Sequence, residues 1–233
     1  MRLILILAAA SGLSGCLMVP PEPAGPAPSQ QVAAMFVSVA RAVEPVAEAE
    51  CRQHAPQLNC DFRIVVDRTD AGEANAHQFL SRAGRPILSF NYALINGVRN
   101  ADELAFVMGH EAGHHIAGHL ARQEVNARQG AQVLAQMASS NGASAEEIRE
   151  ARQLGAALGA LQYSQEFELE ADHLGAIISI RAGYNPVIGA RYFLRLPGAG
   201  DGMLGTHPPN DARIEGVRRA AREFVAPQAG SGS

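Results

Sequence analysis

The sequence predicts an α+β fold that is predominantly helical. Short β-branched and aromatic runs crowd residues 62–90, whereas the chain after residue 91 reads as helix almost throughout. Strand signals first and helical signals after imply a small sheet packed on a helical body. At 233 residues, 47% hydrophobic and 18% charged, the chain is long enough for one sizeable core and has an ordinary globular composition.

Taken in order, residues 1–16 read as a targeting segment. Arg2 gives the positive start, residues 3–10 a short apolar run, and Leu13-Ser14-Gly15-Cys16 resembles a bacterial lipobox, where cleavage precedes a cysteine that becomes diacylated. The alternatives are a plain signal peptide with an incidental cysteine or a single anchor, for which the run is short. Leu17, not Asp, points by the same resemblance to the outer membrane. The expected location is therefore the periplasm, with lipid on Cys16 as the membrane anchor. Residues 17–30 include "VPPEPAGPAP", an extended Pro-rich tether. Residues 31–225 make the folded domain, and residues 226–233 a disordered tail.

A helix is expected over residues 31–54 and a strand over 62–66. Two further extended segments follow at 74–80 and 85–90, joined by a turn at 81–84. Cys51 and Cys60 remain once Cys16 is assigned. In an oxidising compartment they are expected to form a disulfide, worth roughly 2–3 kcal/mol by closing a short loop. His54 between them raises a structural zinc site, but one histidine and two cysteines are an incomplete set. The Ala-rich run 121–162 carries Gln, Arg and Glu throughout, so it reads as a solvated helical hairpin rather than a membrane-spanning pair. Breaks fall near residues 141–142, 183–186 and 197–209. All 19 basic residues are Arg against 23 acidic ones, and no basic face forms, so no nucleic-acid partner is expected.

Residues 109–119, "GHEAGHHIAGH", hold half of the 8 histidines. Asn100 to Glu103 reads as a capping box that starts a helix running on to His119. His110 and His114 then lie about 40° apart on one face, one turn from each other, as a tetrahedral zinc requires of two ligands on one helix. Glu111 stands beside them, and His-Glu-x-x-His on a helix is the zinc metallopeptidase motif, with the glutamate as general base. His115 and His119 point elsewhere on the same wheel. A metzincin needs a glycine where Ala117 stands and a later third histidine, so that reading fails and a third ligand must come from another element.

"YSQEFELEADHLG", residues 163–175, supplies the candidate. On a helix, Glu168 and Asp172 share one stripe with the small residues Ala171 and Gly175, which lets another helix approach closely. Glu166, Glu170 and His173 fall on the opposite, solvated side. Glu168 is thus the expected third zinc ligand and Asp172 its supporting carboxylate, accepting a ring N–H from a ligand histidine.

These motifs together resemble the HtpX/Oma-type metallopeptidases, the gluzincin family that also contains the CAAX prenyl proteases. The matching residues are Asn75-Ala76, Glu103-Leu104, Gly109-His110-Glu111-Ala112-Gly113-His114, Glu168-x-x-Ala171-Asp172, Thr206-His207-Pro208-Pro209 and Arg213-Ile214. The resemblance implies a zincin-like fold, one zinc ion per chain and an endopeptidase activity. Membrane-embedded members have spanning helices; none is read here, which sets prenyl-protein processing aside. The soluble periplasmic lipoprotein members are the better likeness. They imply misfolded or stalled envelope polypeptides as substrates and the outer-membrane assembly machinery as a candidate partner. A chaperone or assembly factor using the same groove is the alternative, and an intact Glu111 favours the enzyme. Arg213 is read either as positive charge for the oxyanion or as a structural ion pair. Asn75 and Ala76 open a segment able to bind substrate as an added strand, unless Asn75 is ordinary turn chemistry. His207, held before two prolines, is an exposed loop histidine or, by resemblance, a reversible fourth zinc ligand that keeps the enzyme latent.

Overall fold

The computed structural model describes residues 25–70, 72–161, 164–195 and 208–225. The lipobox with Cys16, His207 and the tail from residue 226 lie outside the described residues.

Ser29 caps helix α1 (Gln30–His54), its side chain accepting from Val32 N at 3.3 Å. Phe36, Val39, Val43, Ala47 and Cys51 are buried along α1 at intervals of three or four residues, the spacing of a single helix face. A disulfide joins Cys51, in the last turn of α1, to Cys60, with Cα atoms 5.6 Å apart. Both thiols are therefore consumed, and half-exposed His54 lies against Glu50 instead, at 3.5 Å.

Strands β1 (Arg63–Asp67), β2 (Ala76–Leu80) and β3 (Pro86–Asn91) form a sheet in the order β1-β3-β2. Each begins one or two residues later than the hydrophobic pattern suggests. Central β3 is buried at every position; it runs parallel to β1 and antiparallel to β2. The β2–β3 turn closes with Ser81 N donating to Arg85 O at 2.9 Å, and Gly84 takes a φ of 75° that favours glycine. Asn91 is buried at the end of β3. It caps α2 (Tyr92–Gly97) by accepting from Leu94 N, accepts from Asn75 N at 3.0 Å, and donates to Asp70 Oδ2 and Glu73 O. One side chain thus pins the start of edge strand β2 against the sheet.

Helix α3 (Ala101–Ile116) is buried along most of its length, with α1, α6, α7 and the sheet packed around it. Asn100 accepts from Glu103 N at 2.9 Å, but the return bond departs from a simple capping box. Glu103 accepts from Arg99 N at 2.7 Å, one residue before the cap, and both its oxygens accept from Arg195 at 2.7 and 2.6 Å.

The expected run of this helix to His119 is not what forms. α3 ends at Ile116, Gly118 takes a left-handed φ of 67°, and α4 (His119–Ser140) starts after it as a separate helix. With α5 (Ala145–Leu161), α4 makes the anticipated solvated hairpin. Helix α6 (Ser164–Arg181) returns to α3 through its stripe of small residues. A Cβ added to Gly109 or Gly113 would meet the backbone carbonyl of Gly175 or Ala171 at 2.9 Å. α7 (Pro186–Gly189), a 3₁₀ segment (Ala190–Arg195) and α8 (Asn210–Val225) complete the body, α8 packing on α6. No described helix is long and apolar enough to cross a membrane.

Candidate active site

The close α3–α6 contact brings three ligand-type side chains together. His110 Nε2 and His114 Nε2 are 3.0 Å apart, and the two Glu168 oxygens lie 3.6 Å from the first and 3.4 Å from the second. These three residues are the candidate metal-binding group among the described residues. Four-coordinate zinc with bonds of about 2.0–2.1 Å separates its ligand atoms by roughly 3.3 Å, so the spacing fits.

The hydrogen bonds behind the cluster fit as well. His110 Nδ1 lies 2.9 Å from Asp172 Oδ1, and since a carboxylate only accepts, Nδ1 carries the proton and Nε2 is bare. Asp172 is in turn gripped by Arg213, whose Nε and Nη2 donate to its two oxygens at 2.8 and 2.7 Å. Burial opposes the charge on Asp172, but the Arg213 and His110 bonds outweigh it and hold its pKa below the ordinary value.

A second relay stands behind His114. Its Nδ1 lies 2.8 Å from His119 Nδ1, and His119 Nε2 lies 2.9 Å from Glu170 Oε2, which also accepts from Arg122. Burial, opposed by Glu170, pushes the pKa of His119 down to about 4, so the ring is neutral. Its Nε2–H then donates to Glu170, its bare Nδ1 accepts from His114, and His114 Nε2 also faces the cluster. Two imidazole lone pairs and a carboxylate thus converge and call for a positive charge. Burial disfavours that charge on His114, yet Glu168, Glu111 and Asp172 together raise its pKa above the usual histidine value. A metal cation would take the place of that proton. Among the described residues of the cluster, Glu111, Glu168 and Asp172 set three carboxylates against the Arg213 guanidinium, an excess that a divalent ion balances.

Other expected residues lie as follows. Glu111 is buried beside His110 and lines the same cleft. Asn75 and Ala76 line it at the start of β2. Arg213 is buried on the ring of Phe193, 3.5 Å from its centroid, and its Nη2 also reaches Glu168 at 3.2 Å. Its charge is committed to the two carboxylates, so the structure favours the ion-pair reading over an oxyanion donor. His115 bonds to Asn59 O at 2.8 Å, away from the cluster. Glu166 is exposed, as anticipated, but Glu170 is not simply solvated, because His119 reaches it. His119 itself does not point opposite His110; the left-handed turn at Gly118 swings it back onto His114. Its one signal in the sequence was that glycine.

A sheet edge laid beside a helix carrying His110, Glu111 and His114, with a carboxylate delivered by the next packed helix, defines a metallopeptidase. The wider chain agrees with this site: the chain belongs to peptidase family M48, whose model matches residues 34–221. It is 28% identical over 190 residues to the beta-barrel assembly-enhancing protease of Escherichia coli, an alignment covering 73% of this chain and 37% of that protein. It is 32% identical over 139 residues to the putative beta-barrel assembly-enhancing protease of Vibrio cholerae, covering 54% and 29%. The chain thus spans well under half the length of the curated relatives it matches.

Proposed function

We propose that this chain is a zinc-dependent endopeptidase of the cell envelope that degrades misfolded or stalled envelope and outer-membrane proteins. The observation that carries the reading is the convergence of His110, His114 and Glu168 with Glu111 in the same cleft. Bound there, zinc would supply Lewis acidity, lowering the pKa of a water and polarising the scissile carbonyl. Glu111 takes the proton of the attacking water and returns it to the leaving amine. Asp172 and His119 hold the ligand rings in the tautomer that leaves Nε2 bare. An extended substrate adds to β2, whose outer edge pairs with no other strand among the described residues. Backbone pairing of that kind favours unfolded chains.

The envelope setting is supported by the lipobox-like residues 13–16 and by the names of the two relatives. On this reading Cys16 carries the lipid anchor in the outer membrane, facing the periplasm, and Cys16→Ser releases the protein from the membrane fraction. His207 serves as a reversible fourth ligand, and His207→Ala raises basal cleavage at unchanged zinc content. The deciding experiment measures zinc content and casein digestion for the wild type and for Glu111→Gln. The variant retains metal and fold and loses about 10²–10⁴-fold of the rate. Equal digestion by both proteins removes Glu111 as the base. Zinc binding with no digestion by the wild type would leave a chaperone that uses the same groove.

A further inference from the structure

Gln78 is the middle residue of β2 and is buried, at 8% exposure. Neither its Nε2 nor its Oε1 has a hydrogen-bond partner among the described residues. Its strand neighbours His77 and Phe79 are on the opposite face, stacked on each other at 5.4 Å. The buried Gln78 side chain lines the cleft together with His110, Glu111 and His114, and exposed His77 borders it as well.

An unpaired buried amide costs stability that a leucine of similar volume would not. The cost is relieved when something entering the cleft offers the matching donor and acceptor. Strand geometry places such a group. Asn91 N donates to Asn75 O, so Asn75 and, by alternation, His77 turn their backbone groups to β3. Ala76 and Gln78 therefore present theirs to the free edge. Ala76 borders both halves of the cleft with His110, Glu111 and Glu168, which sets it beside the reacting centre. Gln78 is two positions, about 7 Å, further along. The half of the cleft beyond Ala76 in the other direction has an apolar wall of Leu94, Val107 and Phe193 with Tyr192, beside Asn75, Asn210 and Arg213.

Building on the peptidase reading, we infer that Gln78 is a specificity residue: its carboxamide pairs with an amide side chain, Asn or Gln, of an extended substrate. That substrate residue lies within about two positions of the scissile bond, on the side of the metal cluster where His119 and Leu120 line the cleft. A carboxamide matches a carboxamide in both donor and acceptor, whereas an apolar side chain would seal Gln78 off unpaired.

The test digests a peptide library with the zinc-loaded full chain, reads the cleavage sites by mass spectrometry, and then compares two peptides differing only as Gln or Leu at the selected position. The wild type is expected to favour the glutamine peptide by about tenfold or more in kcat/KM. Gln78→Leu lowers that value at least tenfold and raises the leucine peptide's, inverting the ratio. It also raises the thermal midpoint by about 2–4 °C, since an unpaired buried amide is gone. The same ratio in both proteins overturns the assignment. So does an equal fall in kcat on every peptide, which would place Gln78 at the reacting centre instead. If the wild type cleaves neither peptide, the peptidase reading has failed on its own. The ratio is then read from binding of the two peptides by fluorescence anisotropy, where equal affinities for the wild type overturn the role of Gln78.

Discussion

His114 Nδ1 and His119 Nδ1 stand 2.8 Å apart, although the two residues belong to different helices. The left-handed Gly118 between them makes the contact, because a continuous helix would carry His119 around to the far side. His119 does for His114 what Asp172 does for His110: it accepts a hydrogen bond from Nδ1–H, which keeps the proton on that nitrogen and leaves Nε2 bare for a metal.

That relay has a measurable consequence. His119→Phe keeps a ring against Phe167, on which His119 stacks at 4.5 Å, but removes the acceptor for His114. Zinc affinity is expected to fall about 10–100-fold with the fold retained. Competition against a chromogenic chelator measures it, and an unchanged affinity would show that His114 needs no orienting partner.

The three glutamates of α6 separate into three grades of zinc loss. Glu168→Ala is expected to lose most of the metal, as a direct ligand would. Glu170→Ala loses a part of it, because Glu170 acts only through His119. Exposed Glu166→Ala loses none. Elemental analysis of the three purified proteins decides the order, and equal zinc in all three removes Glu168 from the ligand set.

Arg213 holds buried Asp172 through two bonds. Arg213→Met leaves that carboxylate without its cation, a loss of about 3–5 kcal/mol for a broken buried pair. Thermal denaturation should therefore show a clear drop in midpoint. A residue serving only as an oxyanion donor would lower kcat and leave the midpoint in place.

Glu103 ties the start of α3 to Arg195 and Arg99. Burial opposes its charge, but its bonds to Arg195 and to Arg99 N prevail and lower its pKa below 4.5. A depressed carboxylate contributes stability that is fully present above its unfolded value and lost as pH falls through the folded one. Denaturant midpoints of the wild type should thus decline below about pH 4.5 more steeply than those of Glu103→Gln. At pH 7 the variant should be less stable by about 1–3 kcal/mol. Parallel acid limbs for the two proteins would show that the pair contributes nothing there.

What the sequence determined by itself was set by local periodicity. His110 and His114 share a face because four residues make about one turn, and Glu168 joins them because Ala171 and Gly175 on its own stripe admit Gly109 and Gly113 of α3. The cap at Asn100, the solvated hairpin and the order of strands before helices follow from equally local signals. Only the tertiary structure decided the rest. Gly109, Gly113 and Gly118 look alike in a string; two are close-packing positions inside a helix, and one is the left-handed break that returns His119 to the site. Whether Arg213 serves charge or scaffold depends on which carboxylates α6 places before it. The same holds for Gln78, whose polar character marks nothing until strand register turns it away from solvent and toward His110. A side chain's direction across an interface is fixed by how whole elements pack, and no window of neighbouring residues contains that information.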